Sequence, residues 1–246
     1  MLSKAKIKYI KSLHLKKNRM QDKLFLVEGS KSVLELLNST IEVAEVFGTE
    51  GFWNENKNEI KRFGVSFELV DDNELDKAGT LTTNNAALAL AKIPEPTSVK
   101  LSLDRWTLAL DQINDPGNLG TIIRIADWYG IEQIIISENS VDAYNPKTVS
   151  ASKGSLSRVQ VHYADLHSTL SAYTGTILGA DMKGTNVHAL EAPKGGVLVM
   201  GSESHGISCE LDSLLTQRIT IPRLGGAESL NVAVATAIIC DCLLGR

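Results

Sequence analysis

The sequence predicts an α/β protein in two parts, the second built on a parallel sheet. Apolar, strand-like runs alternate with helical stretches through both halves of the 246 residues, the pattern of an α/β unit. A proline-bearing stretch without periodicity, 92–104, separates the halves and reads as a linker. The strands after it are continuous apolar runs such as 106–110 and 196–200, as expected of central parallel strands covered on both faces. At 43% apolar and 22% charged residues the chain can bury a sizeable core, which excludes a disordered or collagen-like protein.

The first half divides as follows. Residues 4–26 read as a basic helix, with Ile7, Ile10 and Leu13 near helical spacing, followed by a buried strand at 24–27. Ser30 is the expected N-cap of a helix through Leu37. A strand at 41–48 precedes a polar helix at 54–64, with Gly64 as its C-cap. The alternation at 65–70 predicts a strand, Asp71 or Asp72 caps a short helix, and 86–91 is the next strand.

The second half opens on a strand at 106–111 and a helix at 118–129. Strands at 131–137 and 158–164 flank a loop with a short helix near 146–153. A helix at 165–173, strands at 176–181 and 196–201, a helix near 208–215, a strand at 218–222 and a terminal helix at 229–244 complete it. The terminal helix is apolar all round, so it belongs in the core or against a partner subunit. Its run is too short and too interrupted to span a membrane.

The formal charge of −4 is unevenly spread. Residues 1–31 hold nine Lys or Arg against two acids, a pattern that points to a polyanion partner for the basic end. Three cysteines are too few for a disulfide framework, no metal-ligand spacing appears, and no apolar segment follows the first lysines. A cytoplasmic, metal-free protein is expected.

Three polar clusters each follow an apolar strand, where open parallel sheets bind their ligands. In the first, Asp111 to Arg124, a Pro-Gly turn leads into a helix with Asn118 as a plausible N-cap, which leaves Arg124 unexplained in an apolar stretch. The second, Met200 to Gly206, sets two glycines five residues apart and matches neither a phosphate loop nor a dinucleotide fingerprint. It suits either a plain turn or a ligand held by backbone amides. The third, Ile219 to Ala235, runs from a strand through a glycine-rich loop to Ser229, an ordinary N-cap, and to Asn231, which as a buried polar residue needs partners.

Together, in this order, the clusters resemble the three motifs of the SpoU (TrmH) family of SPOUT RNA methyltransferases. The match is carried by Asn118-Leu-Gly-Thr-Ile-Ile-Arg124, Gly201-Ser-Glu-Ser-His-Gly206 and Ile221-Pro-Arg-Leu-Gly-Gly-Ala-Glu-Ser-Leu-Asn-Val-Ala-Val-Ala235. The stretch Ser150-Ala-Ser-Lys-Gly-Ser155 is similar to a small-residue segment of the family, and residues 4–90 resemble its N-terminal RNA-binding domain in layout. The resemblance implies an RNA-binding domain at 1–91, which resembles a small ribosomal protein, and a SPOUT domain at 105–246 with a deep trefoil knot. It implies a homodimer formed through the C-terminal domain.

The activity it implies is methyl transfer from S-adenosylmethionine to a ribose 2′-hydroxyl of structured RNA, ribosomal in preference to transfer RNA. Catalytic roles pass to Asn118, Arg124, Glu203, Ser229 and Asn231 and cofactor binding to Met200, Gly201, Gly206, Ile221 and Leu230. Arg223 departs from the family pattern, where an apolar residue is common. Arginine stays protonated at physiological pH, so Arg124 is read as a bidentate clamp on an RNA phosphate. Lys4, Lys8, Lys11, Lys16, Lys17 and Arg19 are the expected RNA contacts. The competing reading is a non-catalytic RNA-binding or ribosome-associated module that keeps the fold and not the reaction.

Overall fold

The computed structural model describes residues 1–81 and 83–245. It divides into two compact units, one of residues 1–95 with 142–157, the other of 96–141 with 158–246.

In the first unit, α1 (Lys4–Ser12) is capped by Ser3, whose hydroxyl accepts from Lys6 N. The basic segment does not continue as one helix. The chain breaks at Leu13–Leu15 and restarts as α2 (Lys16–Asp22), which ends on Lys23 at φ +55°. Then follow β1 (Leu24–Glu28), α3 (Ser30–Leu37), β2 (Val43–Gly48), α4 (Glu50–Phe63), β3 (Ser66–Leu69), α5 (Asp72–Ala78) and β4 (Ala87–Lys92). Gly29 at φ +89°, rather than Ser30, occupies the N-cap of α3. Gly64 closes α4 at φ +63°, and Asp71 with Glu74 forms a capping box on α5. The sheet order is β1-β4-β2-β3, with β4 antiparallel to both neighbours and β2 parallel to β3. Leu26, Phe47, Leu75, Leu88 and Leu90 centre its core, and Ile10 and Leu13 bring the N-terminal segment onto it.

In the second unit the elements are β5 (Trp106–Leu110), α6 (Pro116–Trp128), β6 (Gln133–Ser137), β7 (Gln160–Ala164), α8 (Leu166–Ser171), β8 (Ile177–Asn186), β9 (Gly196–Met200), α9 (Cys209–Asp212), β10 (Gln217–Thr220) and α10 (Val232–Leu244). The intervening α7 (Pro146–Ser152) lies in the stretch that belongs to the first unit. Six strands in the order β10-β8-β9-β5-β6-β7 pair in parallel throughout. Every residue of β5 and of β9 is buried, which is why both read as unbroken apolar runs. Of the segment read as a linker, Val99 and Leu101 pack on this unit's core and Ser102 O accepts from the Tyr173 hydroxyl at 2.8 Å. No helix among the described residues is long and apolar enough to cross a membrane.

Arg19 corrects one expectation. Its side chain is 1% exposed, so it is not an RNA contact. Nη1 donates to Leu13 O at 2.7 Å and to His14 O at 2.9 Å, and Asn18 Nδ2 donates to Ser12 O at 2.8 Å. These carbonyls lie at the last residue of α1 and in the turn that follows it, so the two side chains hold the break between α1 and α2. Nη2 of Arg19 meets Asp142 Oδ2 at 2.5 Å, and Asp142 is itself buried. The pair ties 142–157, a stretch that the sequence places inside the methyltransferase half, into the first unit. Phe25 and Tyr144, with ring centroids 4.9 Å apart, add to it, and burial pushes the Tyr144 hydroxyl up to about 12. Lys4, Lys8, Lys11, Lys16 and Lys17 are all exposed.

Candidate active site

Two helix starts and one loop build the site. Asp115, not Asn118, is the N-cap of α6. Its carboxylate accepts from Asn118 N at 2.8 Å and Pro116 takes the first turn. The Asn118 side chain is thereby free for other partners. Likewise Asn231, not Ser229, caps α10. Asn231 Oδ1 accepts from Ala233 N at 3.0 Å and Val234 N at 3.3 Å. Asn231 is exposed rather than buried, because it stands before the apolar part of the helix. The two helices pack together, and Tyr129 OH donates to Asp241 Oδ1 at 3.0 Å near their far ends.

The loop after β9 is shaped by its glycines. Gly206 stands at φ +68°, and Ser202 and Gly206 exchange backbone hydrogen bonds of 3.0 and 2.9 Å. A Cβ on Gly201 would lie 2.1 Å from Gly206 C, so only glycine lets the two strands of the loop meet. Buried Asp111, at the end of β5, accepts from Ser208 N at 2.8 Å and anchors the loop's exit.

Glu203, projected from this loop, joins both helix starts. Its Oε1 accepts from Asn118 Nδ2 at 3.0 Å, Asn231 Nδ2 at 3.0 Å and Val232 N at 3.4 Å. Asn231 Nδ2 also donates to Asn118 Oδ1 at 2.9 Å. A carboxylate here sits at the N-terminal ends of two helices, where side-chain and backbone N–H groups converge on it. Three residues from three separate motifs, up to 113 positions apart, thus form one hydrogen-bonded cluster.

Beside it opens a cavity of about 630 Å³. Met200, Gly201, Gly206, Ile221 and Leu230 all line it, as do Glu203 and Ser229. Asn118, Asn231 and Arg124 do not. Arg124 is exposed on α6, with no ion-pair partner among the described residues. Arg223 lines the cavity, and its Nη1 donates to Ala227 O at 3.3 Å across the glycine-rich loop. Sequence reasoning missed Asp181 and Met182, which line the cavity from β8. Their signal was faint: an Asp-Met-Lys-Gly run at 181–184 directly after an apolar strand.

An open parallel sheet with a ligand cavity at its strand ends, and a polar cluster drawn from three motifs, defines the class of fold and site. Comparison with known proteins places the chain within that class. Residues 105–241 match the SpoU rRNA methylase family, and residues 4–89 match the MRM3-like substrate binding domain. The chain belongs to the SpoU rRNA methylase family. It is 31% identical over 244 residues to the 23S rRNA (guanosine(2553)-2′-O)-methyltransferase RlmP of Bacillus subtilis, covering 98% of this chain and 96% of that one. A TrmH-family structure from Porphyromonas gingivalis superposes with a TM-score of 0.86 at 33% identity, over 100% of this chain and 99% of the other. The AdoMet-bound rRNA methyltransferase from Sinorhizobium meliloti, at 24% identity, shares the fold with a TM-score of 0.87 over 99% and 96% of the two chains. The fold is that of the SPOUT methyltransferases.

Proposed function

We propose that this protein transfers a methyl group from S-adenosylmethionine to a ribose 2′-hydroxyl of ribosomal RNA. The observation that carries the reading is the convergence of Asn118, Glu203 and Asn231 at the rim of a cavity lined by the five expected cofactor residues. The named relatives support ribosomal RNA as substrate.

The cavity fits the cofactor. Its volume is in the range of small-molecule sites. Ile219, Ile221, Val232 and Ile239 offer apolar walls for a base, and the close turn that Gly201 permits sets the loop from Gly201 to Gly206 along the cavity wall. Glu203 supplies negative charge suited to a cation. When bound, the cofactor supplies a methyl group already activated on a sulfonium. The chain must then align the hydroxyl and give its proton a route.

Glu203, held by three donors, is a fixture: it locks the starts of α6 and α10 against the cofactor loop. Asn118 and Asn231 orient that loop and the ribose, and Ser229 faces the cavity from the opposite loop. Arg124 stands two turns along α6 from Asn118, about 9 Å, exposed to grip the neighbouring phosphate. The hydroxyl proton leaves to that phosphate or to water.

Lys4, Lys8, Lys11, Lys16 and Lys17 add phosphate contacts from the first unit. A homodimer through the C-terminal domain is part of the reading. Trp128 on α6 and Val234 on α10 are 81% and 49% exposed, an apolar face suited to a second copy. The trefoil knot expected of the fold belongs to the reading too. Calorimetric titration tests the core of it. S-adenosylmethionine is expected to bind one site per chain, with label passing to rRNA only when protein is present; a protein that binds the cofactor and transfers nothing to any RNA would be the non-catalytic module. Light scattering is expected to give twice the chain mass.

A further inference from the structure

Three non-glycine residues among those described have a positive φ: Lys23 at +55°, Gln112 at +56° and Lys153 at +51°. Lys23 and Lys153 close α2 and α7, where a left-handed residue commonly ends a helix. Gln112 closes no helix. It stands between the end of β5 and the start of α6, and it is exposed. Glycine takes this conformation freely, whereas glutamine must be held in it, and residues held so gather at functional sites.

A pair of serines from the neighbouring strand does the holding. β6 ends on Ser137, and Ser140 follows across a turn in which Ser140 N donates to Ser137 O at 2.9 Å. Ser137 Oγ accepts from Gln112 N at 2.8 Å, and Ser140 Oγ accepts from Ile113 N at 3.1 Å. The two hydroxyls lie 2.9 Å apart and share a hydrogen bond, so each orients the other. Val141 N donates to Ile113 O at 2.8 Å and completes the contact. Ser140 and Ile113 are buried, so water does not replace the hydroxyl at Ile113 N.

The residue before Gln112 is fastened to a different loop. Asp111 N donates to Met200 O at 2.9 Å, and Asp111 Oδ2 accepts from Ser208 N at 2.8 Å, at the two ends of the loop that carries Glu203. Asp115, three residues beyond Gln112, caps α6, and Asn118 in that first turn meets Glu203. Residues 111–115 therefore set where α6 begins relative to the Glu203 loop.

We propose that Ser137 and Ser140 are positioning residues for methyl transfer: they hold Gln112 left-handed, and through it the start of α6 and Asn118. This rests on the methyl-transfer reading above. The backbone of Gln112 carries the effect and its side chain does not, so glycine at 112 serves and a β-branched residue does not.

The test compares wild type, Ser137→Ala, Gln112→Val, and Ser137→Ala combined with Gln112→Gly. For each, turnover on rRNA at saturating S-adenosylmethionine is measured beside the calorimetric Kd for S-adenosylhomocysteine, thermal melting, and amide exchange over 112–119. Ser137→Ala and Gln112→Val are each expected to lower kcat about 10-fold, the scale of one lost hydrogen bond or one strained residue, with Kd within about 2-fold of wild type and faster exchange in the first turn of α6. Adding Gln112→Gly to Ser137→Ala is expected to recover most of the lost kcat, because glycine needs no holding. A merely structural role would lower the melting temperature and leave the kcat of the folded protein unchanged. Active wild type matched in kcat by Ser137→Ala overturns the assignment. So does a Gln112→Gly combination that recovers nothing, since the side chain or the fold would then carry the effect. Wild-type protein that transfers no methyl to rRNA overturns the methyl-transfer reading itself, and this assignment with it.

Discussion

In the first unit, charged side chains face solvent one at a time, as Lys4, Lys8, Lys11, Lys16 and Lys17 do, or disappear into the backbone, as Arg19 does. In the second, polar side chains far apart in sequence are gathered at the ends of parallel strands, as Asn118, Glu203 and Asn231 are. A mixed sheet whose β4 runs against its neighbours scatters its loops over both ends. An all-parallel sheet directs the carboxyl ends of all its strands to one side. The contrast teaches that residue type is a weak guide to role in the first unit, whereas position after a strand is a strong guide in the second.

The largest effect is expected where the first unit departs from its own surface pattern. Arg19→Ala leaves Asp142 buried without its partner and is expected to destabilise the protein by about 3–5 kcal/mol in denaturant unfolding. The paired change to Met and Leu, which removes both charges, is expected to cost much less. An Arg19→Ala protein as stable as wild type would mean that Arg19 is an ordinary surface cation after all.

Next comes the second unit's cluster. Asn231→Ala is expected to lower kcat about 100-fold, in line with the loss of one positioned polar group at a reacting centre, with a smaller change in cofactor affinity. Stability drops as well, by about 1 kcal/mol, from the lost cap on α10. If the loss fell on cofactor affinity alone, the cluster would be part of the cofactor site and not of the catalytic one.

Replacing Lys4, Lys8, Lys11, Lys16 and Lys17 by Gln sharpens the contrast from the other side. The slope of log affinity for RNA against log salt is expected to fall by roughly 0.7–0.9 for each phosphate contact removed. A slope unaltered by all five changes would put RNA binding elsewhere.

The smallest effect treats both units alike. His14 in the first and His162 in the second each bury Nε2 without a hydrogen bond, and burial lowers both imidazoles' pKa against the opposing pull of Glu28 and of a Thr97 backbone hydrogen bond, respectively. A histidine depressed in the folded state lets the unfolded chain take up the proton first. Its stabilising share is complete above pH ~6.5 and is lost as pH falls toward the depressed value. Thermal melting is expected to shift downward between pH 7.5 and pH 5, less so in the His14→Gln, His162→Gln double variant.

Most of the second unit was legible from sequence, because buried parallel strands appear as apolar runs and the motifs that follow them keep their order. The limits lie in local competition. Asn118 reads as a cap until Asp115 takes that place, and Ser229 until Asn231 does, since any of these side chains can satisfy a helix start and only geometry selects one. Arg19 read as one more cation because its acceptors include an aspartate 123 residues away. The register jump between β8 and β10, where Arg218 pairs with Gly179 and Ile219 with Thr185, left little trace, because a register jump depends on the partner strand as much as on its own residues.

The central claim is the position of the transferred methyl. Ribosomal RNA incubated with this protein and S-adenosylmethionine can be hydrolysed in alkali, which spares the phosphodiester beside a 2′-O-methyl ribose and cuts beside a methylated base. One new alkali-resistant site is expected, dependent on the cofactor and reduced in the Asn231→Ala protein. Label found on a base, with every phosphodiester cut as in untreated RNA, would contradict it.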